Sequence, residues 1–231
     1  MNEKFFIQPS WPAPSIIKAY TTLRKSGISR PPENRLDRAQ LISYFNLPNE
    51  PIWLRQTHSD IILPAIAENR EKEADASYSD QPKQICVIQT ADCLPILLCH
   101  KEGKQVAAIH AGWRGLAKNI IAKTLIMLKY PANDFLAWIG PGISQNHYEV
   151  GDEVRNVFIE MDASNKEAFI PSIHQHWLAN LPAIAILQLK NAGLNDIYGG
   201  DICTYTNDTQ FFSYRRDGAR TGRIVSLIWI N

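Results

Sequence analysis

The sequence lacks the features that would commit it to a membrane, a nucleic acid or a disulfide framework. Its longest apolar runs are on the scale of Pro-Ile-Leu-Leu-Cys at 95–99, far below the roughly 20 residues that span a bilayer. It carries 24 basic and 23 acidic residues, a formal net charge of +1. There is no basic block and no aromatic-basic interleaving, so nucleic acid and anionic membrane surfaces are not expected partners. Its four cysteines, Cys86, Cys93, Cys99 and Cys203, form no CxxC pair. The N-terminus has no basic stretch leading into a long apolar segment and a cleavage site. Free thiols in a cytoplasmic protein are the expectation. No internal repeat, heptad run or low-complexity linker divides the chain, and the Lys-Ser/Thr pair of a nucleoside-triphosphate loop is missing after Gly112 and Gly115.

What is present is a chain of 231 residues with 45% hydrophobic content, enough for one substantial core. Apolar runs at 16–23, 85–89, 94–99, 106–109, 135–139 and 224–230 predict strands, and short extended pieces are expected at 51–54, 61–63, 197–200 and 201–205. Helical spacing predicts helices over 34–45, 116–128, 152–161 (capped by Asp152) and 177–192. Several strands follow one another without a helix between them, which predicts a mixed sheet. The fold class is therefore α/β or α+β, a single domain over 1–231 with no boundary.

One stretch, 89–115, places polar groups where buried elements end. Thr90-Ala91-Asp92-Cys93 interrupts two apolar runs, His110 ends the next one, and Trp113 and Arg114 stand at a helix start. Buried polar groups need partners, so the pattern points to a site. His58, delivered by the short strand at 51–54, completes a set of two imidazoles and one thiol. With Cys93 and His110 it suits zinc and leaves a fourth position open; the plain alternative is a buried cysteine and two hydrogen-bonded histidines. A second chemistry uses the same atoms, with Cys93 as nucleophile, His110 as base, and Asp92 or Asp75 orienting it. Arg114 at the helix start and Arg215 beside Phe211–Tyr214 are candidate anion ligands. Trp113 is as readily a packing wedge as a stacking surface. Gln56, Ser77, Arg114 and Arg215 are the expected substrate or phosphate contacts. His100, His147, His174, His176 and Cys203 carry no expected role.

The segments Thr90-Ala91-Asp92-Cys93-Leu94-Pro95, His110-Ala111-Gly112-Trp113-Arg114-Gly115, Ile139-Gly140-Pro141, Tyr148-Glu149-Val150-Gly151, Phe211–Asp217 and Thr221-Gly222-Arg223 resemble the YfiH-like laccase-domain family. That family is also called multicopper polyphenol oxidase or peptidoglycan editing factor, and is related to laccase domain-containing protein 1. The resemblance implies a single α/β sandwich on mixed sheets with flanking helices, and metal ligands at His58, Cys93 and His110. It implies zinc as cofactor, with copper as the alternative. It also implies purine nucleoside phosphorylase activity on adenosine, inosine, guanosine and methylthioadenosine, with adenosine deaminase activity beside it. Purine nucleosides and phosphate would be the partners. Copper-dependent phenol oxidation fits the residues less well, because the chain has 6 histidines in all and multicopper chemistry needs many imidazoles. A cysteine- or metal-dependent amidase acting in cell-wall peptide editing would also suit the thiol and its imidazoles. So would a non-catalytic binding protein stabilised by metal. The segment from Gly27 to Arg35 is shorter than the family pattern, which bears on substrate scope.

Overall fold

Alternation along the buried strands explains the architecture. In the strand Leu94–His100, Leu94, Ile96 and Leu98 face one way and Leu97 and Cys99 the other, and all are buried. A strand apolar on both faces must lie inside a layered structure. The computed structural model describes residues 5–30 and 35–231, and in it two sheets are stacked. The larger has the strand order Asp196–Gly199, Phe135–Ile139, Leu94–His100, Val106–Ala111, Ala76–Ser79 and Ile62–Pro64. Its two outermost pairings are parallel and the three central ones antiparallel, so it is mixed as expected. The smaller sheet, ordered Phe6–Ile7, Ile17–Thr22, Ile224–Ile230 and Cys86–Thr90, is antiparallel throughout.

Between the sheets pack Ile17, Cys86, Ile88, Ile228 and Ile230 from one side and Leu97, Cys99, Val106, Ala108 and Trp138 from the other. The opposite face of the larger sheet is covered by helices through Leu116, Ile120, Ile121, Phe158, Ile184 and Leu189. Helix Arg38–Phe45 covers the smaller sheet, where Leu41 meets Val87, Val225, Leu227 and Trp229. Each large aliphatic side chain so buried contributes about 1.5–3 kcal/mol. The result is a helix–sheet–sheet–helix sandwich.

Several boundaries differ from those expected, each for a local reason. The helix at 116–128 is two helices, Trp113–Ala117 and Ile120–Met127, because Asn119 between them is left-handed with φ 62°. The helix at 152–161 has the expected span, but its cap position is Gly151. Residues 177–192 begin as a strand, Trp177–Ala179; Asn180 then caps helix Leu181–Asn191 by accepting from the Ala183 amide at 3.0 Å. Only Cys203 of the strand expected at 201–205 pairs, as an isolated bridge with Gly142, whereas the extended piece expected at 197–200 is the edge strand Asp196–Gly199. The helix expected from Asn34 runs over Arg38–Phe45, capped by Asp37. Asn34 itself, and residues 31–33 of the shortened segment, lie outside the described residues. No helix among those described is long and apolar enough to cross a membrane.

The polar break at Thr90–Cys93 now has a structural meaning. Thr90 ends a strand of the smaller sheet, opposite Ile224, and Leu94 begins a strand of the larger one, opposite Ala111. Residues 91–93 therefore cross between the sheets at one end of the sandwich. His110 is the next-to-last residue of the neighbouring strand, paired with Pro95 and on the same side as Val106 and Ala108.

Candidate metal and anion site

Crossover and register bring the three expected ligands together. The donor atoms of His58, Cys93 and His110 all lie within 4.8 Å of one another. Cys93 Sγ is 3.8 Å from His58 Nε2, and the two imidazole rings are 4.8 Å apart at 68°. His110 is buried and His58 lies toward solvent.

Asp75 organises the cluster. Its carboxylate is completely buried and accepts from the backbone amides of Thr57 (3.1 Å), His58 (3.1 Å) and Ser59 (2.6 Å). The Ser59 hydroxyl donates to it at 2.6 Å, and His110 Nδ1 at 2.7 Å. One carboxylate thus folds the loop carrying His58 and fixes the tautomer of His110, leaving Nε2 of that ring directed at the cluster. His58 itself holds φ 59° and Asp92, next to Cys93, φ 88°. Such conformations cost of order 1–3 kcal/mol outside glycine and persist only where surrounding bonds over-determine them.

The electrostatics follow from these contacts. Burial works against the charge on Asp75, but hydrogen bonds from His110 and Ser59 hold its carboxyl down at about 2. Burial alone would raise the Cys93 thiol; the adjacent His110 and His58 instead draw it down to about 6. Burial alone would lower His110; the Cys93 charge and the Asp75 carboxylate raise it to about 9. Cys86 and Cys99, which lack such neighbours, are pushed by burial up to about 12. Thiolate character is confined by position, not by residue type.

Gly112 is required by closeness. A Cβ at that position would stand 2.8 Å from Cys93 Sγ and 3.1 Å from His58 Cδ2. Gly112→Ala is expected to force the two ligands apart and to lower bound metal per chain at limiting metal, measured by elemental analysis, while the fold persists by circular dichroism.

A cavity of about 610 Å³ opens over the cluster. Its wall includes Gln56, His58, Thr90, Asp92, Cys93, His110, Trp113, Arg114, Tyr148, Tyr214, Arg215 and Arg223. Not every expected contact residue is free to act there. Gln56 uses both ends of its amide on the Gln89 backbone at 2.8 Å, which clamps the edge strand. Ser77 is outside the cavity; it is fully buried with its hydroxyl beside the Cys86 thiol. Asp92 accepts from the Thr204 hydroxyl at 2.6 Å and the Arg215 amide at 2.7 Å, so it does not orient either imidazole. Arg114 lies over the Trp113 ring at 4.5 Å. Arg215 donates twice to the Glu149 carbonyl at 3.1 Å and lies 5.2 Å from the Tyr148 ring centre.

Sequence reasoning missed Arg223 and Tyr148 as cavity residues, whereas Tyr214, one of the aromatics beside Arg215, does stand in the wall. Arg223 is half-buried, and burial lowers its basicity while the Cys93, Tyr214 and Asp92 charges oppose that. The Tyr148 hydroxyl is pushed up by burial. The signal for Tyr148 and Arg223 was membership of the Tyr148–Gly151 and Thr221–Arg223 segments. The remaining described histidines are elsewhere: His100 accepts from the Glu102 amide, His147 stacks on Tyr205, and His176 lies 3.5 Å from Glu149.

The donor set fits a single metal ion. Around tetrahedral zinc, sulfur and nitrogen ligands lie about 3.5 Å apart, close to the 3.8 Å between Cys93 and His58. Three ligands leave an open position toward the cavity, and the same nitrogen and sulfur atoms would accept copper.

Nearly the whole chain is similar to known proteins. Residues 19–231 match the family described as multi-copper polyphenol oxidoreductase laccase. A protein of Escherichia coli (strain K12) named purine nucleoside phosphorylase YfiH is 41% identical over 243 residues, covering 97% of this chain and 98% of its own. A Haemophilus influenzae protein named purine nucleoside phosphorylase is 40% identical over 240 residues, covering 96% and 98%. The crystal structure of protein NMB0706 of Neisseria meningitidis superposes with a TM-score of 0.91 at 38% identity, covering 99% of this chain and all of that one.

Proposed function

The chain belongs to the YfiH-like laccase-domain family, and from that premise we propose that it is a zinc-dependent purine nucleoside phosphorylase, acting as one domain in the cytoplasm. The observation that carries the reading is the set of three guanidiniums, Arg114, Arg215 and Arg223, in the wall of one cavity with the His58–Cys93–His110 cluster. Guanidiniums are the side chains best suited to bind phosphate through paired charge-assisted hydrogen bonds. Relatives named purine nucleoside phosphorylase supply the substrate class.

In this reaction a phosphate oxygen forms a bond to the ribose anomeric carbon. The carbon–nitrogen bond to the purine breaks, and its electron pair leaves on the purine. Arg114, Arg215 and Arg223 hold the phosphate and offset its charge, converting an encounter of two solutes into a positioned attack. Tyr148, Tyr214 and Trp113 offer aromatic surface to the planar base. His58, Cys93 and His110 would hold the zinc, which would supply Lewis-acid stabilisation of developing negative charge. Asp75 holds the His110 ring and the 57–59 loop in place.

Adenosine deamination, the second activity that the resemblance implies, needs a proton-transferring group. Asp75 and Asp92 are both occupied by hydrogen bonds, so phosphorolysis is the reading the polar groups favour. Adenosine, inosine, guanosine and methylthioadenosine share the ribosyl–purine bond and are all proposed substrates. Zinc is preferred to copper because one two-imidazole, one-thiolate cluster provides a single site, whereas phenol oxidation by several coppers needs further imidazoles. The test is release of adenine from adenosine with and without phosphate. Turnover that is independent of phosphate and survives chelation would sink the proposal.

A second reading has one observation in its favour. The Asp75–His110 hydrogen bond of 2.7 Å beside a thiol drawn down to about 6 is also the layout of a cysteine nucleophile, its base and an orienting carboxylate. Amide hydrolysis that persists in chelator and disappears in Cys93→Ser would favour it.

Arg223→Met is expected to raise KM for phosphate roughly 10- to 100-fold, the loss of a charge-assisted bond of about 1.5–3 kcal/mol, with little change in KM for the nucleoside. Steady-state kinetics with each substrate varied in turn check it.

A further inference from the structure

We propose that Asp92 is a positioning residue that fixes the spacing between the metal ligand Cys93 and the anion-binding Arg215; its kinetic consequence rests on the phosphorolysis reading. Asp92 is next to Cys93 in the crossover between the two sheets, only 7% exposed, and strained at φ 88°. Both oxygens of its carboxylate are used. One accepts from the Thr204 hydroxyl at 2.6 Å and the other from the Arg215 backbone amide at 2.7 Å. Its own carbonyl accepts from the Ile143 amide at 2.8 Å, in the cavity wall.

These partners are 51, 112 and 123 residues away in sequence. Among the described residues, Asp92 makes the hydrogen bonds that join the crossover to the segment 200–217. That segment is then held together internally. The Arg216 guanidinium donates to the Thr204, Tyr205 and Phe211 carbonyls and pairs with Asp217. Arg215 is fixed at both ends, its amide by Asp92 and its guanidinium by the Glu149 carbonyl. A backbone conformation this unfavourable for a non-glycine residue persists where its surroundings hold it, and here the holding bonds run to the arm that carries the phosphate ligand. A shift of that arm relative to Cys93 would misplace phosphate against the reacting bond, and small misplacements are costly to rate.

Two substitutions separate positioning from proton transfer. Asp92→Gly removes the carboxylate without further backbone strain, because glycine tolerates φ 88°. Asp92→Asn keeps an oxygen to accept from the Arg215 amide, and its NH2 group can donate to the Thr204 hydroxyl, but it cannot carry a proton. In Asp92→Gly we expect full zinc content, KM for phosphate raised roughly tenfold or more, a smaller change for nucleoside, and faster hydrogen exchange at the Arg215 amide. Asp92→Asn is expected to rescue most of each effect with an unaltered pH profile. Where Asp92→Gly does not fold, Thr204→Val removes one of the two partners and is expected to give the same order of effects at smaller amplitude.

The proposal is overturned if Asp92→Asn loses kcat as fully as Asp92→Gly, which would make Asp92 a proton carrier. It is equally overturned if Asp92→Gly, or Thr204→Val in its place, leaves phosphate KM and Arg215 exchange unchanged. If the wild-type protein turns over no nucleoside, the phosphorolysis reading fails. Amide exchange and zinc content in the variants then decide the positioning claim by themselves.

Discussion

Asp75→Ala is expected to lower metal affinity by at least 100-fold and to destabilise the protein by several kcal/mol, the largest combined effect of any single substitution outside the ligands. Loss of a carboxylate that orients a ligating histidine costs 10- to 100-fold in affinity by itself. Here the same carboxylate also accepts the Thr57, His58 and Ser59 amides. Three donors would be left without their acceptor, at about 1–3 kcal/mol for each that stays buried, and φ 59° at His58 would lose its restraint. Metal titration in competition with a chelator and urea denaturation check the two parts separately. The sign of the pH effect follows from a depressed carboxyl, lowered from 3.8 to about 2. Its contribution, on the order of 2 kcal/mol, is fully present above pH 3.8 and is lost as pH falls through 2. Asp75→Ala should flatten that part of the acid-denaturation curve.

Cys93→Ala is expected to abolish stoichiometric zinc binding and to lower kcat/KM by at least roughly 1,000-fold, since it removes the anionic ligand that offsets the metal charge. The wild-type site also predicts a pH dependence. The thiol lies at about 6 and His110 at about 9, and metal must displace protons from both. Apparent affinity should therefore rise by about one decade per pH unit between 6 and 9 and more steeply below 6.

How much of this was legible in the sequence depended on whether a residue's role lay in its own strand or in a distant partner. Cys93 and His110 stood out because each interrupts or ends an apolar run, and strand ends at a sandwich edge are where such groups meet. A mixed-sheet α/β or α+β domain was readable from strands that follow one another without a helix between them, while the sandwich layering came from the family resemblance. Roles set by long-range bonds were not. Asp92 is adjacent to Cys93 and invites a catalytic role, yet its carboxylate faces Thr204 and Arg215. Ser77 alternates into the space between the sheets and meets Cys86. Arg223 reads as one more charge in a polar loop. The pairing of Ile224 with Thr90 brings it to the cavity, and no local pattern encodes that pairing. The break at Asn119 likewise reflects a left-handed residue inside what reads as continuous helical spacing.

If His58, Cys93 and His110 form one metal site that supports phosphate-dependent cleavage of a purine nucleoside, metal and activity must rise and fall together. The measurement that tests this most directly is zinc per chain together with adenine released from adenosine in phosphate, on the same preparations of wild type and Cys93→Ala. About one zinc per chain and phosphate-dependent release in the wild type, with both lost in Cys93→Ala, is the predicted result. Metal-free wild-type protein with undiminished phosphate-dependent release, or Cys93→Ala retaining both zinc and activity, would contradict it.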